Sequence, residues 1–264
     1  MPFQSIGNIR FYQFKQLGEG LTHGIFTRRG GISPEPWAEL NQGSTVGDDL
    51  ERVRENCRRA LVSLNRPQDS VFDVWQVHGV EVAIGEAPRS LESPLLQADV
   101  ILTDKPSVTL MMRFADCVPI LFNDPVRKVV GIAHAGWMGT VRGTVRCAVD
   151  IMKKRYNSKS ANILAAIGPS IGPDHYEIGT DVINQIKRAF GTDSKSLLSM
   201  SFGTMKFDLW AANRMLLEQA GVQHIEVAGL CTACHVEDWY SHRAEKRRTS
   251  RFGAIIALTS SHHG

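Results

Sequence analysis

The sequence has no apolar run approaching the roughly 20 residues that a helix needs to cross a bilayer. Its opening, MPFQSIGNIRFYQF, carries no long apolar core of the signal-peptide type. A membrane anchor and export are therefore not expected, and a cytoplasmic location is. Also absent are G-x-G-x-x-G, the P-loop, H-E-x-x-H and G-x-S-x-G, so dinucleotide-binding, NTP-binding, zincin and serine-hydrolase chemistry lose their usual signatures. Neither sign of charge is in large excess. A formal net charge of +3 and a pI near 8.6 demand no nucleic-acid and no anionic-membrane partner. No Pro/Gly/Ser tract, low-complexity block or repeat period interrupts the 264 residues, so one domain spanning 1–264 is expected. Five cysteines, an odd number, fit a reducing compartment better than a disulfide framework.

What is present reads as mixed secondary structure. Helical spacing runs through DDLERVRENCRRALVSLN behind a capping Asp48 or Asp49, with Val53, Cys57, Leu61 and Leu64 on one face. It runs again through GTVRGTVRCAVDIMKKRY, read as one helix with Cys147 packed among small residues. TDVINQIKRAF behind a capping Thr180, and DLWAANRMLLEQAG between Asp208 and Gly221, supply two more helices. Strands are expected over residues 24–27, 71–84, 100–103, 108–114, 163–167, 225–230 and 254–258. The elements do not alternate regularly, which predicts an α+β fold, a mixed layered domain rather than a doubly wound one.

The stretch ADCVPILFNDPVRKVVGIAHAGW, residues 115–137, places two apolar runs around NDPVRK and reads as an antiparallel hairpin. Pairing Phe122 with Val129 sets Cys117 opposite His134 on one face, about 4.5 to 5.5 Å apart at Cβ. Pro119 cannot donate to a ladder and points to an edge position or a bulge. His78, in VWQVHGVEVAI, lies beside Gly79, where a bend is expected. Two histidines and a cysteine supply three soft or borderline donors suited to Zn²⁺ and leave a fourth position open, as in catalytic sites. Their spacings, 39 and 17 residues, match no finger-type module, so spacing alone assigns no metal.

Gln76 shares the strand parity of His78 and Asp116 adjoins Cys117, so either can orient a ligand. TRRGG (27–31) offers Arg28 as an anion contact beside a glycine turn, against the plainer reading of a solvated loop. In HRAEKRRTSR (242–251), Arg243, Lys246, Arg247, Arg248 and Arg251 form a basic cluster that can meet phosphate or simply face solvent. IGPSIGPDHYEIG (167–179) is a loop where substrate can approach backbone, with His175 and Tyr176 as weaker candidates. CTACH (231–235) has the spacing of a haem-attachment or redox pair, but packed thiols in a loop are the default reading.

TRRGG, ELNQG, VGDD, QVHG, ADVILT, ADCVPILF, AHAGWMGT, IGPSIGPDHYEIG, DLWAANRMLLEQAGV and CTACH followed by YSHRAEKRRTSRFGA occur in order along nearly the whole chain. This series resembles the bacterial YfiH/YlmD family, whose mammalian relative is a laccase-domain protein. The resemblance implies a single-domain mixed α/β sandwich related to the catalytic domain of cytotoxic necrotising factor toxins. It implies a purine nucleoside phosphorylase, once labelled a multicopper polyphenol oxidase, that also deaminates adenosine and cleaves methylthioadenosine. The family's metal-binding and catalytic residues map onto His78, Cys117 and His134. Zinc is the expected cofactor, with copper as the alternative. Arg28, Asn41, Gln76 and Asp116 are the candidate substrate-binding residues, Asp116 also being a candidate to protonate the leaving base. The expected partners are purine nucleosides and phosphate, with no nucleic acid and no membrane, and a homodimer is compatible with the sequence.

Three departures from the family pattern stand out. Met138 replaces the usual arginine of HAGWRG, Cys57 follows Asn56 where arginine is common, and PDHYEIG replaces the frequent PCCYEVG. The two lost basic groups predict an altered grip on phosphate. A metal-free cysteine hydrolase with a Cys117/His dyad, a copper oxidase and a non-catalytic nucleoside sensor are the rival functions.

Overall fold

The computed structural model describes residues 2–90, 92–246 and 248–259. The chain begins with β1 (Phe3–Ile6), β2 (Ile9–Tyr12), β3 (Leu21–Phe26), α1 (Leu50–Ser63), β4 (Val71–Phe72), β5 (Val82–Ile84) and β6 (Val100–Thr103). It continues through β7 (Thr109–Phe114), β8 (Val118–Asp124), β9 (Val129–Ala135), α2 (Trp137–Arg142), α3 (Thr144–Tyr156) and β10 (Leu164–Ile167). Then come α4 (Thr180–Phe190), α5 (Ser194–Leu197), β11 (Leu198–Ser201), β12 (Thr204–Phe207), α6 (Leu209–Gln219), β13 (His224–Val227) and β14 (Phe252–Leu258).

Two six-stranded sheets form, ordered β1-β2-β3-β14-β7-β4 and β13-β10-β8-β9-β6-β5, with β11 and β12 as a separate hairpin. Successive side chains of a strand point to opposite faces, and both faces of the second sheet are covered. Leu121, Val130 and Ile132 therefore meet Met112, Phe114, Ala254 and Ile256 of the first sheet. Their neighbours Ile120, Phe122 and Ala133 pack instead against Val145, Ala148 and Val149 of α3 and Ala212 and Leu216 of α6. On the far side of the first sheet, Phe11, Phe26, Met111 and Ile255 receive Ala60 and Leu61 of α1. The result is the mixed α/β sandwich expected, in four layers. Every residue of β8 and β9 is buried, which explains why both read as near-continuous apolar runs.

The hairpin forms, but its register differs from the expected one. Asp124 pairs with Val129 and Pro119 with His134. The turn is tighter because the Asp124 side chain accepts from the Val126 and Arg127 amides, both at 3.0 Å, and Lys128 adopts φ +52°. The slip of two residues preserves side-chain parity, so Cys117 and His134 still share a face, although Cys117 now falls level with Gly136 just past the ladder. Nor is β8 an edge strand. The Pro119 carbonyl points toward β10 and accepts from the Gly168 amide at 2.8 Å, beyond the last paired residue Ile167. The missing N–H therefore removes no bond to β9.

The expected strand over 71–84 is interrupted. Its first part belongs to one sheet and its last to the other, and residues between cross over. The segment expected as one helix over 139–156 is two helices, since Gly143 sits at φ +85°, left-handed, and ends α2 while starting α3. Asp49 and Asp208 cap as expected. Thr180 is the first residue of α4 and its cap is Gly179, with no side-chain bond. Replacing Gly143 by alanine forces an L-residue into the left-handed region and should cost about 1 kcal/mol. Its urea unfolding midpoint should fall with the slope unchanged.

Candidate metal centre

Two of the four passages between the sheets meet at one place. Residues 73–81 pass from β4 to β5 and carry His78; residues 115–117 pass from β7 to β8 and carry Cys117. His134 stands in β9, and one donor atom of each of the three lies within 4.8 Å of the others. The two imidazole centroids are 4.8 Å apart. Gly136 permits this approach, because a Cβ there would lie 2.9 Å from Cys117 Sγ and 3.2 Å from His78 Cδ2.

Asp99, just before β6, organises the triad. Its carboxylate accepts from the amides of Val77 at 3.1 Å, His78 at 3.0 Å and Gly79 at 2.6 Å, and it meets His134 Nδ1 at 2.7 Å. That last bond leaves Nε2 of His134 free for a ligand. Burial pushes the Asp99 carboxyl up, but the His134 bond and the amides outweigh it and hold it below the usual range. Sequence reading missed Asp99. ADVILT supplied it, but only the β6–β9 pairing, Val100 with Ala133, shows that it faces His134.

The electrostatics of the triad favour Cys117 as thiolate beside a protonated His134. Burial raises the thiol, yet the charge of His134 and hydrogen bonds from His134 and His78 lower it to about 6. Burial lowers His134, but the Cys117 charge and the bond to Asp99 raise it to about 9. A depressed thiol contributes stability that is lost as pH falls through about 6. A raised imidazole contributes stability that is lost as pH rises through about 9, so the pair is intact between these limits.

The triad opens on a cavity of about 570 Å³ lined also by Trp75, Gln76, Leu95, Arg113, Asp116, Trp137, Met138, Tyr176, Arg243 and Arg251. Gln76 acts as a substitute strand, donating to the Arg113 carbonyl at 2.8 Å and accepting from its amide at 3.0 Å. Asp116, at φ +78°, accepts from Thr232 Oγ1 and from the Arg243 amide, both at 2.7 Å. A carboxylate so used tethers two loops and is poorly set up to donate a proton. Asn41 lies behind the cavity, bonded to Asp48, to the amide and carbonyl of Gly43 and to the Arg251 amide. Arg28 lies outside the lining. Its guanidinium pairs with Glu245 at 3.0 Å, bonds the Ala38 and Val236 carbonyls and covers the Tyr240 ring.

Two arginines of the basic cluster at 242–251, Arg243 and Arg251, line the cavity. The Arg243 guanidinium bonds the Glu177 carbonyl at 3.1 Å, and Arg251 bonds the Ser250 carbonyl at 2.9 Å. These partners carry no formal charge. Burial lowers the Arg251 pKa, and the negative charges of Cys117 and Asp116 oppose that shift, which places its cation beside the triad. Lys246 and Arg248 do not line the cavity, and Arg247 lies outside the described residues.

Residues 22–259 match the family model described as multi-copper polyphenol oxidoreductase laccase. The chain is 35% identical over 246 residues to purine nucleoside phosphorylase YlmD of Geobacillus stearothermophilus, covering 90% of each. It is 39% identical to a purine nucleoside phosphorylase of Deinococcus radiodurans, covering 89% of this chain and 88% of that one. The chain belongs to the YfiH/YlmD family. The crystal structure of Bacillus licheniformis hypothetical protein YfiH superposes with a TM-score of 0.90 at 32% identity, over 98% of this chain and 99% of that one. YfiH/YlmD membership thus rests on both sequence and fold. No helix among the described residues is long and apolar enough to cross a membrane.

Two outcomes follow from the geometry. In chelator-stripped protein, the rate of Cys117 alkylation by iodoacetamide should rise with a midpoint near pH 6, against about 9 in the unfolded chain. Asp99→Asn should weaken zinc affinity by roughly 10- to 100-fold, the usual cost of losing such an outer partner, read by competition with a chromophoric chelator.

Proposed function

We propose that this protein is a zinc-dependent purine nucleoside phosphorylase acting on adenosine, inosine, guanosine and methylthioadenosine, with adenosine deamination as a side activity. The observation that carries the reading is the meeting, in one cavity, of a His₂Cys donor set with two guanidiniums hydrogen-bonded to carbonyls and, among the described residues, in no ion pair. The names of the relatives support the general activity.

The donors fit zinc. Two imidazoles and a thiolate form a borderline-soft set, and three protein ligands are the number found in catalytic sites. His78, Cys117 and His134 would hold the ion, which when bound supplies a Lewis-acidic charge at the cavity mouth. Arg243 and Arg251 bind phosphate by charge-assisted hydrogen bonds and aim one oxygen at C1′ of the ribose. As a phosphate oxygen bonds to C1′, the C1′–N9 bond breaks, its electron pair departs with the purine, and the base takes up the proton that hydrogen phosphate gives up, leaving ribose 1-phosphate. Burial and the nearby Cys117 charge push the Tyr176 phenol up, so Oη keeps its proton as a donor inside the cavity. Trp75, Leu95 and Trp137 supply apolar wall that excludes water from the base. Asp116 holds the Arg243 backbone in place.

A second reading has one observation in its favour: the Cys117–His134 ion pair is also an activated nucleophile. Zinc content separates the two. Under the phosphorylase reading, removal of zinc abolishes turnover and re-addition restores it; a cysteine hydrolase would gain activity on stripping.

Incubating the zinc-loaded protein with inosine should yield hypoxanthine and ribose 1-phosphate only when phosphate is present. Cleavage that ignores phosphate would sink the proposal. Arg251→Met should raise KM for phosphate by roughly 10- to 100-fold, matching the loss of about 1.5–3 kcal/mol for a charged hydrogen bond, with much less effect on KM for inosine.

A further inference from the structure

A second cluster lies apart from the triad. Asp174, His175, Cys231 and Cys234 each offer one ligand atom, and these atoms also lie within 4.8 Å of one another. His175 Nδ1 is 3.0 Å from Asp174 Oδ2, 3.5 Å from Cys234 Sγ and 3.8 Å from Cys231 Sγ, and Cys234 Sγ is 3.2 Å from Asp174 Oδ2. Zinc bond lengths of roughly 2.0–2.3 Å place tetrahedral ligands about 3.3–3.8 Å apart. Four of the six separations, at 3.0–3.8 Å, are close to those of a tetrahedron around one small cation, the other two lie within 4.8 Å, and all four donors come from protein. We propose that Asp174, His175, Cys231 and Cys234 form a second zinc site, structural rather than catalytic.

Two short chelates build it. Cys231 and Cys234 have the C-x-x-C spacing, and Asp174 and His175 are adjacent in a turn closed by the His175 amide on the Gly172 carbonyl at 3.0 Å. Cys231 is buried, and its Sγ accepts from the Gly172 amide at 3.2 Å, the outer bond that a ligating thiolate takes. The two loops are already aligned, since the Ser170 amide bonds the Leu230 carbonyl and the Thr232 amide bonds the Ser170 carbonyl. Two sulfurs, an imidazole and a carboxylate favour zinc over calcium or magnesium, which take oxygen. All four ligands come from the chain, so no corner is open to substrate.

The location gives the ion a purpose. Tyr176 follows His175 and lines the catalytic cavity, while Thr232, between the cysteines, bonds Asp116 beside Cys117. A cation joining the two loops fixes that wall.

The test uses Cys117→Ala, in which the triad is disabled, under a phosphine reductant that keeps thiols reduced without binding metal. Loaded with Co²⁺, this variant should show the visible bands of tetrahedral cobalt and a thiolate-to-cobalt charge-transfer band, both bleached by one equivalent of Zn²⁺. Adding Cys234→Ser, or separately the half-exposed His175→Ala, should abolish the tetrahedral spectrum with far-UV circular dichroism unchanged. Zinc content should fall from two ions per chain to one on Cys117→Ala and again to one on His175→Ala alone. A folded Cys117→Ala protein without tetrahedral cobalt overturns the proposal, as does a spectrum that survives both second substitutions. Because the readout needs no turnover, it stands whether or not the phosphorylase reading holds.

Discussion

One carboxylate sets the geometry of the triad. Asp99 takes three consecutive amides, Val77 to Gly79, and the Nδ1 side of His134, so the orientation of both histidines depends on a single residue at the head of β6. Each hydrogen bond to a charged group contributes about 1.5–3 kcal/mol. His78 sits at φ +60°, a left-handed conformation that costs a non-glycine residue about 1–2 kcal/mol. The bonds outweigh the strain by more than their uncertainty, and the loop is fixed where a regular strand would have carried His78 past Cys117.

The same balance recurs next to the thiolate. Asp116 is also left-handed, and its carboxylate is fastened at both oxygens, to Thr232 and to the Arg243 amide. Strained residues persist where surrounding bonds over-determine them, and they collect at functional sites. Here each strained residue is a sheet-to-sheet crossover: one chain passage brings a histidine, the other a cysteine, and the intact strand β9 brings the second histidine between them. Gly136 completes the cradle by having no side chain where the sulfur and a ring must pass. Two sheets sharing a core make such crossovers unavoidable, and the joint they leave at the sheet ends is where the cavity opens.

Side-chain periodicity made the helices, most strands and the shared face of Cys117 and His134 legible, because apolar spacing reports which face is buried. The hairpin shows how far that reaches. Periodicity fixed the face of the two side chains but not the register, which Asp124 sets by capping a four-residue turn. Asp99 was out of reach for a different reason: it is an acidic residue ahead of an apolar strand, and its role exists only once β6 is paired with β9. The break at Gly143 was visible as a glycine within helical spacing, yet a glycine's φ is a tertiary outcome. β1 and β2 escaped notice because FQSIGNIRFY alternates weakly and β1 is mostly exposed. CTACH read as packed thiols, since nothing in the sequence brings His175 within 4 Å of both sulfurs.

Charge pairing decides which arginine can serve an anion. Arg113 lines the cavity, but Asp73 pairs with it at 2.9 Å, and Asp73 also pairs with Arg89 at 2.6 Å. Arg28 is neutralised by Glu245 and locked under Tyr240. Carbonyl partners differ from carboxylates here, since they orient a guanidinium without cancelling its charge. Neither Arg243 nor Arg251 has an ion-pair partner among the described residues, and both line the cavity beside Cys117. An anion entering such a cavity would meet both guanidiniums in a partly desolvated setting, where the effective dielectric is far below that of water. The lost basic side chains at positions 57 and 138 are thus not the nearest source of positive charge, since Arg243 and Arg251 line the cavity on the loop whose Arg243 amide Asp116 holds beside Cys117.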